Sequence, residues 1–339
     1  MIVNKYILIA LLFPFLAHTK IWYVAQGMSG DGSSWTAANG NLSSMLTLAK
    51  PGDQVWVKFG TYTPTEDSNR SVSFVIPSGV ALYGGFEGTE SQVDQRDLSI
   101  YQSILSGNIG DEKIHTDNSY SVILTINAES STIVDGFIIK EGYADGAGLP
   151  GSSQRAGAGW YNQGIDGGVS NPTIINCIFQ DNFALEGAGL YNNATDGRCN
   201  PYIRNSAFIK NRADLDGGAI FNNGLRGECS PLILDSYFAE NEATYGAGIL
   251  NQGAQGVVKP LISNCSFSNN SSFIKGSSIY SFNQDMSDCA PIVQGCSFEE
   301  NKSGISGPSI SSNISDLLFE SFSKSSAAKP GLYIRSTAN

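Results

Sequence analysis

Five phenylalanines, Phe179, Phe208, Phe238, Phe267 and Phe298, fall 29, 30, 29 and 31 residues apart, and an asparagine follows each by three: Asn182, Asn211, Asn241, Asn270 and Asn301. Five or six residues later comes a cluster of small residues: Gly187-Ala188-Gly189, Gly217-Gly218-Ala219, Gly246-Ala247-Gly248 and the weaker Gly276-Ser277-Ser278. An earlier copy begins at Gly157. Prolines keep the same period at Pro172, Pro201, Pro231, Pro260 and Pro291. A period of this length means that each copy is one structural unit that cannot bury a face alone and must stack on its neighbours.

The short runs inside each copy, such as Ile174 to Phe179 and Leu190 to Asn192, are β-type and too brief to stand alone. Coiling them so that each strand pairs in parallel with its counterpart one turn later places equivalent positions about 4.8 Å apart. Parallel crossovers in one sheet are right-handed. Three inward columns follow. The first is Ile174, Ile203, Ile233, Ile262 and Val293; the second is the five phenylalanines; the third is Leu190, Ile220, Ile249, Ile279 and Ile310. Each such side chain contributes about 1.5–3 kcal/mol on burial, enough for a continuous core. The fold class expected is all-β, a right-handed parallel β-helix.

The polar columns fit the same scheme. Asn176, Asn205, Asp235 and Asn264, three before each Phe, belong at bends, because Asn and Asp tolerate left-handed backbone angles. Stacked amides can also bond along the axis. The Gly clusters mark corners where a Cβ would clash. Recurrence here is architectural.

The domain layout expected is a signal peptide at 1–19, an amino-terminal cap with the first strands at 20–65, β-helix rungs at 66–312 and a carboxy-terminal cap or tail at 313–339. Lys5 and the apolar stretch from Tyr6 to Ala17 have the signal-peptide pattern, with cleavage between Ala17 and Lys20. The stretch is short of the roughly 20 residues of a spanning helix. Asn41 is placed to cap a short helix over Leu42 to Lys50, and covering the open end of a solenoid is physically required. Irregular early rungs include a longer excursion from Gly107 to Asn118. The net charge of −11 excludes nucleic acid as a partner, since that binding rests on Lys and Arg neutralising phosphates.

The Phe-x-x-Asn and Gly-Gly-Ala-Ile elements, most complete as Phe208 to Asn211 and Gly217 to Ile220, resemble the repeats of chlamydial polymorphic outer membrane proteins. They also resemble those of bacterial surface proteins in the pectin-lyase-like superfamily. Upstream, Trp22-Tyr23-Val24, Gly32-Ser33-Ser34-Trp35, Pro51 to Val57, Gly60-Thr61-Tyr62 and Tyr83-Gly84-Gly85-Phe86 are similar to the amino-terminal region of the same proteins. The resemblance implies the β-helix fold and a secreted or cell-surface location, with outer-membrane association. It leaves activity open, because the superfamily holds both polysaccharide-cleaving enzymes and noncatalytic adhesins. The membrane barrel of the outer-membrane members has no counterpart in this sequence.

The six cysteines divide by position. Cys177, Cys265 and Cys296 lie two before the column Phe and read as small core residues. Cys199, Cys229 and Cys289 lie two before the periodic Pro, in outer loops; Cys199 and Cys229 sit on adjacent rungs at a spacing that allows a disulfide. No CxxC occurs and His115 is the single histidine after the signal stretch, so zinc is not expected.

One acidic group escapes the repeat. Glu186 and Asp216 immediately precede the Gly cluster and should stack, with Asp214 close and Asp181 nearby. Two carboxylates about 5 Å apart are the arrangement of retaining glycosidases, and the three together are a candidate Ca²⁺ site. Lys210 and Arg212 could neutralise an acidic sugar. The next rungs put Tyr245, Lys275 and Ser306 at that column, so solvated turn residues are the preferred reading. Trp160 and Tyr161, which could stack on sugars, fall within the strand pattern. The expected function is therefore a noncatalytic exported module, a monomer, for adhesion or for binding glycans or cell-surface proteins, with no cofactor. The rival is a polysaccharide lyase or glycosidase using Glu186, Asp214 and Asp216.

Overall fold

A computed structural model describes residues 19–284 and 287–304, and the backbone of strands at 310–312 and 318–320. All but the last residue of the expected signal peptide at 1–19, and most of the carboxy-terminal segment at 313–339, lie outside the described residues. The chain winds into a right-handed parallel β-helix, in which each regular coil contributes one strand to each of four sheets. One sheet has 10 strands, two have 8 and one has 6 among the described residues. All registered strand pairs are parallel, and the register follows the sequence repeat: Ile174↔Ile203, Phe179↔Phe208, Leu190↔Ile220.

One coil shows why the sequence bends where it does. Thr173–Ile175 runs in the ten-stranded sheet, and Asn176 turns the chain with φ 53°. Ile178–Gln180 enters an eight-stranded sheet, and Asp181, also at φ 53°, makes the second corner. Phe183–Glu186 follows in the six-stranded sheet. Gly187, at φ 58°, leads into Leu190–Asn193 of the other eight-stranded sheet. The equivalents Asn205, Asp235 and Asn264 turn the next coils with φ of 48°, 49° and 54°, as their place before the Phe predicts.

The three inward columns are buried from Ile174, Phe179 and Leu190 through Val293, Phe267 and Ile279, and Phe298 is partly buried against them. The Phe rings stack nearly parallel along the axis, with centroids 4.6, 5.0, 4.6 and 5.1 Å apart. Ile310 continues the third column in backbone register; its side chain lies outside the described residues. The Asn of the Phe-x-x-Asn element points inward too. Asn182, Asn211, Asn241 and Asn270 each pass a side-chain N–H to the next Asn at 2.9–3.0 Å, ending on Asn301. A second buried file runs Asn162, Asn192, Asn222, Asn251 and Ser281, at 2.9–3.1 Å. Each file satisfies polar groups that would otherwise be costly to bury.

The helix Leu42–Leu48 covers the amino-terminal end. The Asn41 side chain accepts from Ser44 N–H, and Leu42, Met45 and Leu46 are buried against the first coil. Among the described residues no helix is long and apolar enough to cross a membrane.

Candidate functional site

The acidic group of the sequence does not hold together. Glu186 and Asp216 are register partners at the ends of consecutive strands of the six-stranded sheet, beside a bulge that re-aims the backbone. Burial, and then the Glu186 charge, push the Asp216 carboxyl up to about 6. Glu186 is raised by burial too, opposed by Gly151 N–H and Arg155. Asp214 instead points outward and pairs with Arg212 at 2.9 Å. Lys210 lies at a corner and faces Glu240 at 3.8 Å. Asp181 is exposed at its own corner. Alternation along Arg212–Asp216 explains the split, since Arg212 and Asp214 share the outward face while the bulge re-aims Asp216. Among the described residues no group of three or more His, Cys, Asp or Glu converges to hold a metal, and the alternative Ca²⁺ set of Glu186, Asp214 and Asp216 is not brought together.

Glu186 is closed off from above. The segment from Ala144 to Ala156 folds over it, and Gly151 N–H donates to Glu186 Oε2 at 2.8 Å. Arg155 stands 3.9 Å from the other oxygen. The same segment is fastened by Tyr161, whose hydroxyl donates to Gly151 O at 2.6 Å. Tyr161, Tyr191, Phe221 and Leu250 form a buried outer stripe beneath it, and half-buried Tyr245 and Tyr280 continue the stripe, stacked 5.2 Å apart. With 8% of its surface exposed, Glu186 is engaged by this segment. Trp160 is wholly buried, with its N–H on Thr125.

A surface absent from the sequence expectations lies on the outward face of the six-stranded sheet. Tyr143 and Phe183 are register partners with rings 4.5 Å apart, and the Arg212 guanidinium sits 5.6 Å from the Phe183 ring. Leu215 and Phe273 are exposed on the same sheet, Phe273 by 74%. The inward side of these strands carries Ala144, Ala184, Ala213 and Ala243. The signal in the sequence was the residue after the file Asn: Phe183, Arg212, Glu242, Ser271 and Lys302 share no chemistry, as an outward position permits.

All six cysteines are free thiols, and all are buried. Cys177, Cys265 and Cys296 join the main core as expected. Cys199, Cys229 and Cys289 were expected in outer loops, and the structure corrects this. They cluster inward with Ala194 and Val258, because the connection after the file Asn folds back under the coil. Cys199 Sγ lies 3.0 Å from Asn193 O, and the pair Cys199 and Cys229 is unbridged. Burial holds both thiols well above their ordinary range.

These coils and files define the class of the molecule as a right-handed parallel β-helix. Among solved structures it is similar to a 1,3-α-1,4-β-D-galactose-4-sulfate-3,6-anhydro-D-galactose-2-sulfate 4 galactohydrolase, with 14% identity and a TM-score of 0.34 over 79% of this chain and 62% of that one. It is also similar to pectate lyase Pel9A, with 14% identity and a TM-score of 0.33 over 86% of this chain and 79% of that one. The chain thus spans about 62% of the length of the galactohydrolase. No protein-family model and no curated protein matches it.

Proposed function

We propose that the chain is an exported, noncatalytic β-helix that binds glycan chains along the outward face of its six-stranded sheet, as a monomeric adhesion module at a cell surface. The observation that carries this reading is the strip of Tyr143, Phe183 and Arg212, with Phe273 exposed on the same sheet. Parallel sheets are ordinarily covered on both faces. The Tyr143 and Phe183 rings are half-buried and Phe273 stands exposed two coils beyond Arg212, and aromatic rings beside charged groups offer an apolar body for sugar C–H faces with polar partners for hydroxyls. The resemblance of the repeats to chlamydial polymorphic outer membrane proteins supports a surface role. The test is retention of the whole chain on a panel of immobilised polysaccharides and cell-surface extracts. Binding should fall at least about tenfold in Phe183→Ala and Phe273→Ala, equivalent to about 1.4 kcal/mol. No retention on any member of the panel would overturn the reading.

A second reading is a glycosidase or lyase centred on Glu186 and Asp216. It is favoured by the Asp216 carboxyl raised to about 6, the condition of a general acid. The buried, engaged state of Glu186 stands against it. Release of reducing or unsaturated ends from uronic-acid polymers, abolished in Asp216→Asn, would put this reading first.

A further inference from the structure

Three carboxylates are buried among the described residues: Asp53, Asp135 and Glu186. Asp135 pairs with Arg96 at 2.9 Å, and Glu186 faces Arg155 at 3.9 Å. Asp53, 9% exposed, has no side-chain cation at ion-pair distance among the described residues. Buried acids are ordinarily paired, because an isolated charge is costly to take out of water.

Asp53 instead collects neutral donors. Its Oδ2 accepts from Lys50 N–H at 3.0 Å and from the Trp22 indole N–H at 3.2 Å, and its Oδ1 accepts from Lys20 N–H at 3.1 Å. Burial raises this carboxyl, and the bonds from Lys50, Lys20 and Trp22 outweigh burial, so its pKa lies below the ordinary aspartate value. The Lys20 side chain turns elsewhere, with its ammonium 3.2 Å from the centre of the Trp22 ring. Lys20 is also where the chain joins the fold. Its carbonyl accepts from Gln54 N–H at 2.8 Å, and Ile21 to Val24 then pair residue by residue with Gln54 to Val57 at the edge of the ten-stranded sheet. Thr19 is exposed. In the sequence, Ala17 and Thr19 are small residues three and one before Lys20, the spacing that an export endopeptidase reads.

We propose, on the export reading above, that the Thr19–Lys20 bond is cut on export and that Asp53 is the site that binds the α-ammonium created by the cut. An export endopeptidase adds one water across the bond: the water oxygen goes to the Thr19 carboxylate, and both hydrogens go to Lys20 N, which becomes an ammonium. That nitrogen stands 3.1 Å from Asp53 Oδ1 in the fold, so the amide bond to Asp53 becomes a charge-assisted one without movement of the backbone. Asp53 then has a cation, as Asp135 has Arg96 and Glu186 has Arg155. The first strand is thereby pinned at its free end.

The test is expression of the full chain in an export-competent bacterium, followed by amino-terminal sequencing and intact mass of the exported product. A product that begins at Lys20 is expected. Its α-amino group, titrated by nuclear magnetic resonance, should have a pKa of about 9 or higher, against about 7.7–8.0 for a free chain end. Asp53→Asn should return it to the free-end range. An exported product with another first residue would overturn this inference alone, whereas retention of all 339 residues inside the cell would overturn the export reading with it. A product that begins at Lys20 but titrates as a free chain end would overturn the role of Asp53, and the wild type decides this point by itself if Asp53→Asn does not fold.

Discussion

Replacing Asn211 with alanine removes four hydrogen bonds from the interior at once. The Asn211 side chain donates to Phe179 O at 2.9 Å and to Asn241 Oδ1 at 3.0 Å, and it accepts from Asn182 Nδ2 at 2.9 Å and Asn182 N–H at 3.4 Å. Not all of these partners are orphaned. Asn182 Nδ2 keeps Ile139 O, and Asn241 Oδ1 keeps Asn211 N–H. Each bond lost costs about 1 kcal/mol net, and a buried donor left alone costs somewhat more. The expected destabilisation is therefore about 3–5 kcal/mol, well above the roughly 1 kcal/mol of an average substitution. Urea unfolding followed by far-ultraviolet circular dichroism reads the change as a lowered midpoint at constant slope. Asp196→Ala, which deletes an exposed ion pair to Arg226 at a left-handed turn position, serves as the comparison and should cost no more than about 2 kcal/mol, the strain of alanine at φ 55° included. An Asn211→Ala variant as stable as Asp196→Ala would refute the idea that the buried amide file holds the coils together.

Three further outcomes follow from the same geometry. Gly218→Ala should destabilise by about 1–3 kcal/mol in the same assay, because its Cβ would meet Ala247 O at 2.5 Å and Glu242 O at 2.6 Å. Asp216 should make stability depend on pH. Its folded-state pKa is raised from 3.8 to about 6, so the folded chain holds that proton more tightly than the unfolded chain. The associated stability is complete below about pH 4 and is lost as pH rises through about 6. Asp216→Asn should then be more stable than the wild type at pH 8, on the order of 2 kcal/mol, with the gap closing near pH 4; the opposite sign would show that Asp216 is not desolvated. The buried thiols should resist a soluble aromatic disulfide reagent in the native chain, with all six reacting after unfolding without reductant. Four reactive thiols would mean that one pair, with Cys199 and Cys229 the adjacent candidates, is bridged.

The sequence announces the coil far better than the surface. A residue that faces inward in every copy is constrained in every copy, so the Phe file, the Ile files and the left-handed corners at Asn176, Asn205, Asp235 and Asn264 could be read from spacing. The second amide file at Asn162, Asn192, Asn222 and Asn251 was hidden because Asn pairs at a strand end resemble turn residues. Cys199 and Cys229 were misplaced because an eight-residue connection looks like a surface loop, while its backbone bonds pull it under the coil. The stacking of Glu186 on Asp216 was legible from the period. The closure over Glu186 was not, since Gly151 and Arg155 lie in a segment outside the repeat.

The claim on which everything rests is that successive copies stack in register. Thr173 and Ile292 are outward residues separated by four registered steps, through Tyr202, Leu232 and Leu261. With strands about 4.8 Å apart, their backbones should stand about 19 Å apart although 119 residues separate them. Nitroxide labels on Thr173→Cys and Ile292→Cys, beside unreactive buried thiols, allow that distance to be measured by pulsed electron paramagnetic resonance. A narrow distribution centred near 20 Å is the predicted result, and a mean beyond about 35 Å would contradict the stacked coil.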